Sequence, residues 1–191
     1  ISLADVLKSD SKRAIDAFRG SGMDVWLVTG DNERAAEAVA KQLGIVNVIA
    51  AAKPEEKMKK IEELQGSGKV VAMVGDGVND APALAKADLG IAIGAGTDVA
   101  IQAGGIILIR DNIYDAFAVL ELGRRTMSKI RQNLFWAFGY NIVLIPVAAG
   151  ALIPIFTVSV YSFLPILAAL AMAFSSVTVV SNSLLLARSG L

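Results

Sequence analysis

From Ser9 to Ile109 the apolar positions switch repeatedly between the three-to-four spacing of an amphipathic helix and short unbroken runs. Ser9 to Arg19 has the helical spacing and is closed by Gly20-Ser21-Gly22. Val25 to Val28 is an apolar run ending on Thr29-Gly30-Asp31. Asn32 to Leu43 is alanine-rich and helical, with Gly44 where a helix commonly turns left-handed. Asn47 to Ala50 predicts a brief strand, and Pro54 opens a charged helix to Gln65, a position where a missing N–H costs little. Val70 to Val74 predicts another strand, Ala81 to Ala87 a short helix, and Leu89 to Ile93 and Ile106 to Ile109 two more strands. Runs that are apolar at every position fit strands covered on both faces, so the expected fold class is α/β with a doubly wound parallel sheet. Ligands of such sheets gather at the carboxyl ends of the strands, where the polar residues of this chain fall.

A different pattern starts near Asn112. A long helix is predicted through Arg131, with Arg124, Arg125, Lys129 and Arg131 in its last turns. Beyond it charge almost vanishes. The chain balances 18 basic against 18 acidic side chains, yet Arg188 carries the only charge after Arg131. Asn133 to Pro154 and Val160 to Leu186 are free of charge, and each exceeds the roughly 20 residues that cross a hydrocarbon layer. The expected organisation is a soluble α/β domain over 1–111, a connecting helix over 112–132, and an all-α transmembrane hairpin over 133–191 with spans near 133–154 and 160–186. Basic residues at the entry and Arg188 at the exit put the soluble domain and the C-terminus on the cytoplasmic side of a lipid bilayer, the cell membrane being the expected one. The chain opens Ile1-Ser2-Leu3, without methionine or a signal-like start, and reads as a piece of something longer.

Composition narrows the chemistry. The chain has no cysteine and no histidine, which excludes disulfides, thiolate sites, an imidazole base and zinc clusters of the nitrogen-and-sulfur kind within it. Through Arg131 the charges nearly cancel, so there is no basic footprint for nucleic acid. The informative run is Gly75-Asp76-Gly77-Val78-Asn79-Asp80-Ala81-Pro82. Two carboxylates four positions apart, on a glycine-rich loop after a buried strand, suit a hard cation such as Mg²⁺ held by oxygen. The bland alternative is a turn with a helix N-cap at Asn79 or Asp80. Thr29-Gly30-Asp31 offers a hydroxyl and backbone N–H groups at a helix start, which makes either a phosphate site or a plain cap. Lys57 stands on the first turn after Pro54, a lone lysine on spacing alone. Gly66-Ser67-Gly68-Lys69 lacks the first glycine and the Ser or Thr of a phosphate loop, since Glu63 and Val70 stand there, and reads as a turn.

In that order and on those elements, Thr29-Gly30-Asp31, Pro54-x-x-Lys57 and the octapeptide Gly75 to Pro82 resemble the second half of a P-type ATPase phosphorylation domain, which is haloacid dehalogenase-like. The resemblance implies that residues 1–111 are a partial phosphorylation domain. It implies that Thr29 and Gly30 hold phosphoryl oxygens, that Lys57 neutralises them, and that Asp31 lies near the phosphates of ATP. Asp76 would bind Mg²⁺, with Asp80 and Asn79 supporting the site. Phosphoryl transfer needs positioning and charge neutralisation above all, so these roles are physically coherent. The departure is the nucleophile. The family phosphorylates an aspartate in Asp-Lys-Thr-Gly-Thr, which does not occur here, and the nucleotide-binding domain is missing too, so this chain is not expected to hydrolyse ATP alone.

The apolar segments hold few polar groups. Asn133, Tyr140 and Asn141 lie in the first; Met172, Ser175, Ser176 and Asn182 lie in the second. On spacing these are helix-packing groups or part of a pathway. With Pro146 and Val179 they resemble the closing helix pair of the copper(I)-transporting, heavy-metal subgroup, which implies Tyr140, Asn141, Met172 and Ser176 as ligands of a transported Cu⁺. A thioether is a soft ligand suited to Cu(I). The subgroup's Cys-Pro-Cys helix is absent from this chain. The expectation is therefore part of an ATP-driven copper(I) exporter that works through an aspartyl phosphate. Its partners are the nucleotide-binding and actuator domains, further membrane helices and a copper chaperone. A silver, zinc or cadmium pump, or a membrane-tethered binding module without activity, remains the alternative.

Overall fold

The computed structural model describes residues 7, 8, 10–75, 79–94, 105–151, 154 and 162–188. They fall into two compact units that meet between Val119 and Leu120.

The first unit alternates helix and strand: α1 (Ser11–Gly20), β1 (Trp26–Val28), α2 (Glu33–Leu43), β2 (Asn47–Ile49), α3 (Pro54–Gly66), β3 (Ala72–Gly75), α4 (Ala81–Lys86), β4 (Leu89–Ile93) and β5 (Ile106–Leu108), then the start of α5 (Ile113–Ala148). Local chemistry accounts for the boundaries. Asn32 Oδ1 accepts from Ala35 N at 3.0 Å to cap α2, and Gly44 ends it at φ 73°, a region costly to residues with a Cβ. Pro54 starts α3, and Glu56 reaches back to the N–H of Lys53 at 2.7 Å. All strand pairs are parallel, as unbroken apolar runs predict.

The single sheet expected from the sequence appears as two ladders. β1 pairs with β2, and β3-β4-β5 form a separate three-stranded sheet. Among the described residues β1 and β3 each pair on one side only. Val70, expected to open a strand, is instead 88% exposed, and β3 begins two residues later. The segment between is held by Asp88, whose carboxylate accepts from Val71 N at 2.8 Å. That bond, with a contribution from the Gln65 side chain, holds the Asp88 carboxyl below its ordinary value of 3.8. The core between sheet and helices is built around Leu84 and Ile91, each almost fully enclosed, with Met73 packed on Leu84 and Ala92. Alanines 14, 36, 40, 83, 92 and 116 fill much of the rest and let the backbones approach closely.

The second unit contains most of α5 and α6 (Leu164–Arg188). The transmembrane hairpin expected over 133–191 is not seen: among the described residues no helix is long and apolar enough to cross a membrane. α5 runs on through the first apolar segment rather than ending near Arg131. Its middle carries Arg131, Gln132 and Asn133, and Tyr140 and Asn141 follow, which interrupt the apolar sequence. Residues 152, 153 and 155–161, where the two expected spans end and begin, lie outside the described residues. The helices nevertheless present much apolar surface, including Phe135, Phe138, Ile142, Met172 and Phe174, each more than 60% exposed. A polar clasp joins them. Lys129 Nζ donates to Asn182 Oδ1 at 2.8 Å, Asn182 Nδ2 donates to Asn133 Oδ1 at 2.8 Å, and Asn133 Nδ2 donates to Ser183 Oγ at 3.0 Å.

Two outcomes test this packing. Leu84→Ala should cost about 3 kcal/mol in denaturant unfolding, through lost transfer energy and a cavity, whereas Val70→Ala should stay within about 0.5 kcal/mol. The native carboxyl of Asp88 is depressed, so its contribution is present above pH 3.8 and is lost as pH falls through the lower native value. Asp88→Asn should therefore remove part of the acid dependence of the unfolding midpoint and leave its slope near neutrality unchanged.

Candidate functional site

The carboxyl ends of β1 and β3 carry the polar groups singled out by sequence. After β1, Thr29 N–H continues the ladder to Ile49 O at 3.0 Å, and its carbonyl accepts from Ala52 N at 2.9 Å. The Asp31 carbonyl accepts from Ala51 N at 2.7 Å. These bonds lace the Thr29 loop to the segment that enters α3, and Ala51 takes the unusual positive φ of 51° to make the bend. The side chains close on each other: Thr29 Oγ1 donates to Asp31 Oδ2 at 2.9 Å and accepts from Asp31 N at 3.1 Å. Thr29 is thus fixed by the residue two positions on, while Gly30 and Asp31 remain exposed. Asn32, not Thr29, caps α2.

A short, part-buried ion pair joins α3 to the loop after β3. Lys57 Nζ donates to Asp80 Oδ1 at 2.6 Å, and each side chain is only 13% exposed. Asp80 occupies the N-cap position of α4, yet makes no side-chain cap there. Its carbonyl accepts the helical bond from Leu84 N at 2.8 Å, while its carboxylate turns to the lysine. The plain-cap alternative for Asp80 is thereby set aside. Lys57 is no solvated lone charge either, because the first turn of α3 aims it inward. Gly75 makes the arrangement possible. A Cβ there would stand 2.6 Å from Asp80 Oδ2 and 2.9 Å from Asp80 Cβ, closer than such atoms approach. Sequence reasoning took this glycine as loop flexibility; its role is clearance.

Of the other expected site residues, Asn79 is described and exposed, and Asp76 lies outside the described residues, as do Gly77 and Val78. One oxygen of the Asp80 carboxylate is taken by the lysine, and among the described residues no group of three acidic side chains is gathered that could hold a metal ion. In the second unit the hydrogen bonds of two expected ion ligands stay local. Asn141 Nδ2 donates to Ala137 O at 2.8 Å and Ser176 Oγ donates to Met172 O at 3.2 Å, each within its own helix. Tyr140 stacks obliquely on Trp136, and the Met172 side chain is 74% exposed. Sequence reasoning missed the clasping partner: it flagged Asn133 and Asn182 as polar, but not Lys129 as the charge that bonds Asn182 beside them.

Known proteins are similar to this chain in sequence and fold. Residues 1–88 match the haloacid dehalogenase-like hydrolase family. The chain is 53% identical over 186 residues to "Probable copper-exporting P-type ATPase" of Archaeoglobus fulgidus, covering 97% of this chain and 23% of that protein. It is 50% identical over 184 residues to "Probable copper-transporting ATPase PacS" of Synechocystis, covering 96% and 24%. A crystal structure of a zinc-transporting PIB-type ATPase in its E2.Pi state superposes with a TM-score of 0.80 at 37% identity, covering 95% of this chain and 28% of that one. The chain thus spans less than a quarter of the length of these curated relatives.

The clearance at position 75 gives opposite signs for two glycines. Gly75→Ala should destabilise by about 1–3 kcal/mol through overpacking and displace Asp80 from Lys57. Gly66→Ala, where an added Cβ meets nothing within 4 Å, should be neutral or stabilising by up to about 1 kcal/mol. Unfolding measurements compare the stabilities, and a structure of the first variant reads the Lys57–Asp80 distance.

Proposed function

We propose that this chain, which corresponds to the phosphorylation-domain region of copper-transporting P-type ATPases, is the phosphate-handling part and a portion of the ion path of a copper(I) export pump. The Lys57–Asp80 pair carries the reading. A half-buried ammonium held at the mouth of a parallel sheet is poised for an anion, and the carboxylate that holds it keeps a second oxygen for a cation.

In the whole pump, an aspartate from a segment with the missing motif would take the phosphoryl group from ATP. Among the described residues β1 and β3 are each paired on one side only, and a strand carrying it would pair at such an edge. Thr29 Oγ–H would turn from the Asp31 carboxylate to donate to a phosphoryl oxygen, with the exposed N–H of Gly30 beside it and Asp31 near the nucleotide phosphates. Lys57 would offset negative charge on the equatorial oxygens. Asp76 and Asp80 would hold Mg²⁺ through carboxylate oxygens, with Asn79 in support, and the bound ion would supply charge neutralisation. The exposed apolar faces of α5 and α6 are surface that lipid, or other helices of an integral membrane pump, would cover. Tyr140, Asn141, Met172 and Ser176 would join cysteine ligands from elsewhere in the protein to bind Cu⁺ in transit. The copper preference rests on the sequence relatives, at 50% identity and above, over the zinc-transporting structural relative at 37%.

In the full-length protein, Lys57→Ala should lower the rate of phosphoenzyme formation from ATP by about a hundredfold or more, the loss expected on removing one preorganised donor. Asp80→Asn should weaken its Mg²⁺ dependence. Unchanged labelling in both variants would overturn the phosphate role. Cu⁺ should stimulate turnover, and Met172→Ala should raise the Cu⁺ concentration required; stimulation by Zn²⁺ alone would assign the pump to zinc.

A further inference from the structure

The first turn of α5 is built with help from the opposite end of the first unit. A helix start leaves backbone N–H groups without partners, and local residues normally satisfy them. Here Asn112 serves two: its Oδ1 accepts from Tyr114 N at 2.8 Å and its carbonyl from Asp115 N at 3.2 Å. The third, Ile113 N–H, donates to Asp10 Oδ2 at 3.1 Å, across 103 positions of chain. Asp10 sits at the N-cap of α1 but makes no side-chain cap for its own helix. Its carboxylate is spent on α5 instead, where negative charge also suits the positive end of the helix dipole.

Three further contacts gather on the same turn. The Arg13 guanidinium lies 4.1 Å from the centre of the Tyr114 ring, a cation–π distance. Phe18 meets Phe117 edge-on with centroids 5.6 Å apart, and Phe117 in turn touches Tyr114 at 5.7 Å. Lys8 pairs with Asp111 just before the helix. Ala14 and Ala116, on the same two helices, are fully enclosed. None of these groups belongs to the phosphate site. α1 leads through Gly22 directly into β1, the strand that ends on Thr29, and α5 continues without a break to Ala148.

We propose that α1 is an anchor for the root of α5, and that Asp10, Arg13 and Phe18 are positioning residues that make movement at the β1 loop and movement of α5 one event. This rests on the pump reading for its purpose, though not for its geometry. If the grip is loosened, phosphorylation survives while the work delivered to α5 is lost.

The test uses the full-length protein with Arg13→Gln, Tyr114→Leu and Asp10→Ala. Arg13 is exposed, so its variant keeps the core intact, and Tyr114→Leu keeps an apolar body. Amide exchange over residues 113–119 should rise about fivefold in Asp10→Ala, the loss expected of a helix cap, and rise also in the other two. Phosphoenzyme level should stay near wild type, while metal transported per ATP falls by about fivefold or more, the range of an ordinary coupling between sites. Phe18→Leu should restore more of that ratio than Phe18→Ala. Unchanged exchange, or a transport ratio unchanged in all variants, overturns the anchor. If the wild-type protein forms no phosphoenzyme, the pump reading fails, and the anchor then stands or falls on the exchange result alone.

Discussion

One short ion pair constrains the first unit of the molecule. Lys57 and Asp80 approach to 2.6 Å with little solvent around either, and bringing two charges that far out of water is favourable only if geometry is exact at both ends. The requirement propagates. α3 must start at Pro54 so that its first turn faces the sheet, β3 must end on a residue without a Cβ, and α4 must begin without the help of its own N-cap side chain. Removing either partner would strand a half-buried charge, which is why the pair is better understood as an enforced arrangement than as a stabilising bond.

Much of this was legible beforehand. Among the described residues, the strands and helices from Ser11 to Leu108 were foreseen within a few residues, helped by chemistry a sequence displays: Asn32 and Gly44 around α2, Pro54 before α3. Thr29, Lys57 and Asp80 were singled out through the resemblance of their motifs to a P-type ATPase phosphorylation domain, and the fold brings Lys57 and Asp80 into contact. What spacing did not display was partnership at long range. Asp80 looks like a cap until the lysine 23 positions away is placed beside it, and Asp10 looks like a cap until Ile113 is. Strand continuity was hidden for a similar reason. A fully apolar run states that both faces are covered, but not which neighbour bonds each edge, and so one sheet was expected where two ladders stand.

The second unit reverses the balance between pattern and chemistry. Its apolar character was plain, but the polar residues proved to be engaged in ways that composition does not encode. Ser176, Thr178, Ser183 and Asn141 each donate to a carbonyl four residues earlier, the conformation in which a helix satisfies a polar side chain from its own backbone. Lys129, Asn133 and Asn182 instead bond between α5 and α6 and fix the register of one helix on the other. An amide ladder of this kind specifies alignment at modest energetic gain, since each bond replaces one that water would have made.

The half-paired strands carry a consequence for handling the protein. A strand whose N–H and C=O groups lack a partner on one side is a template for whatever extended chain comes near, and among the described residues β1 and β3 each present such a row. Separated from a segment that could complete the sheet, this stretch would satisfy those rows with another copy of itself. Association through edges grows with concentration, so order of synthesis matters here: a completing strand already in place when β1 and β3 emerge would deny the ribosome's neighbouring products a docking site.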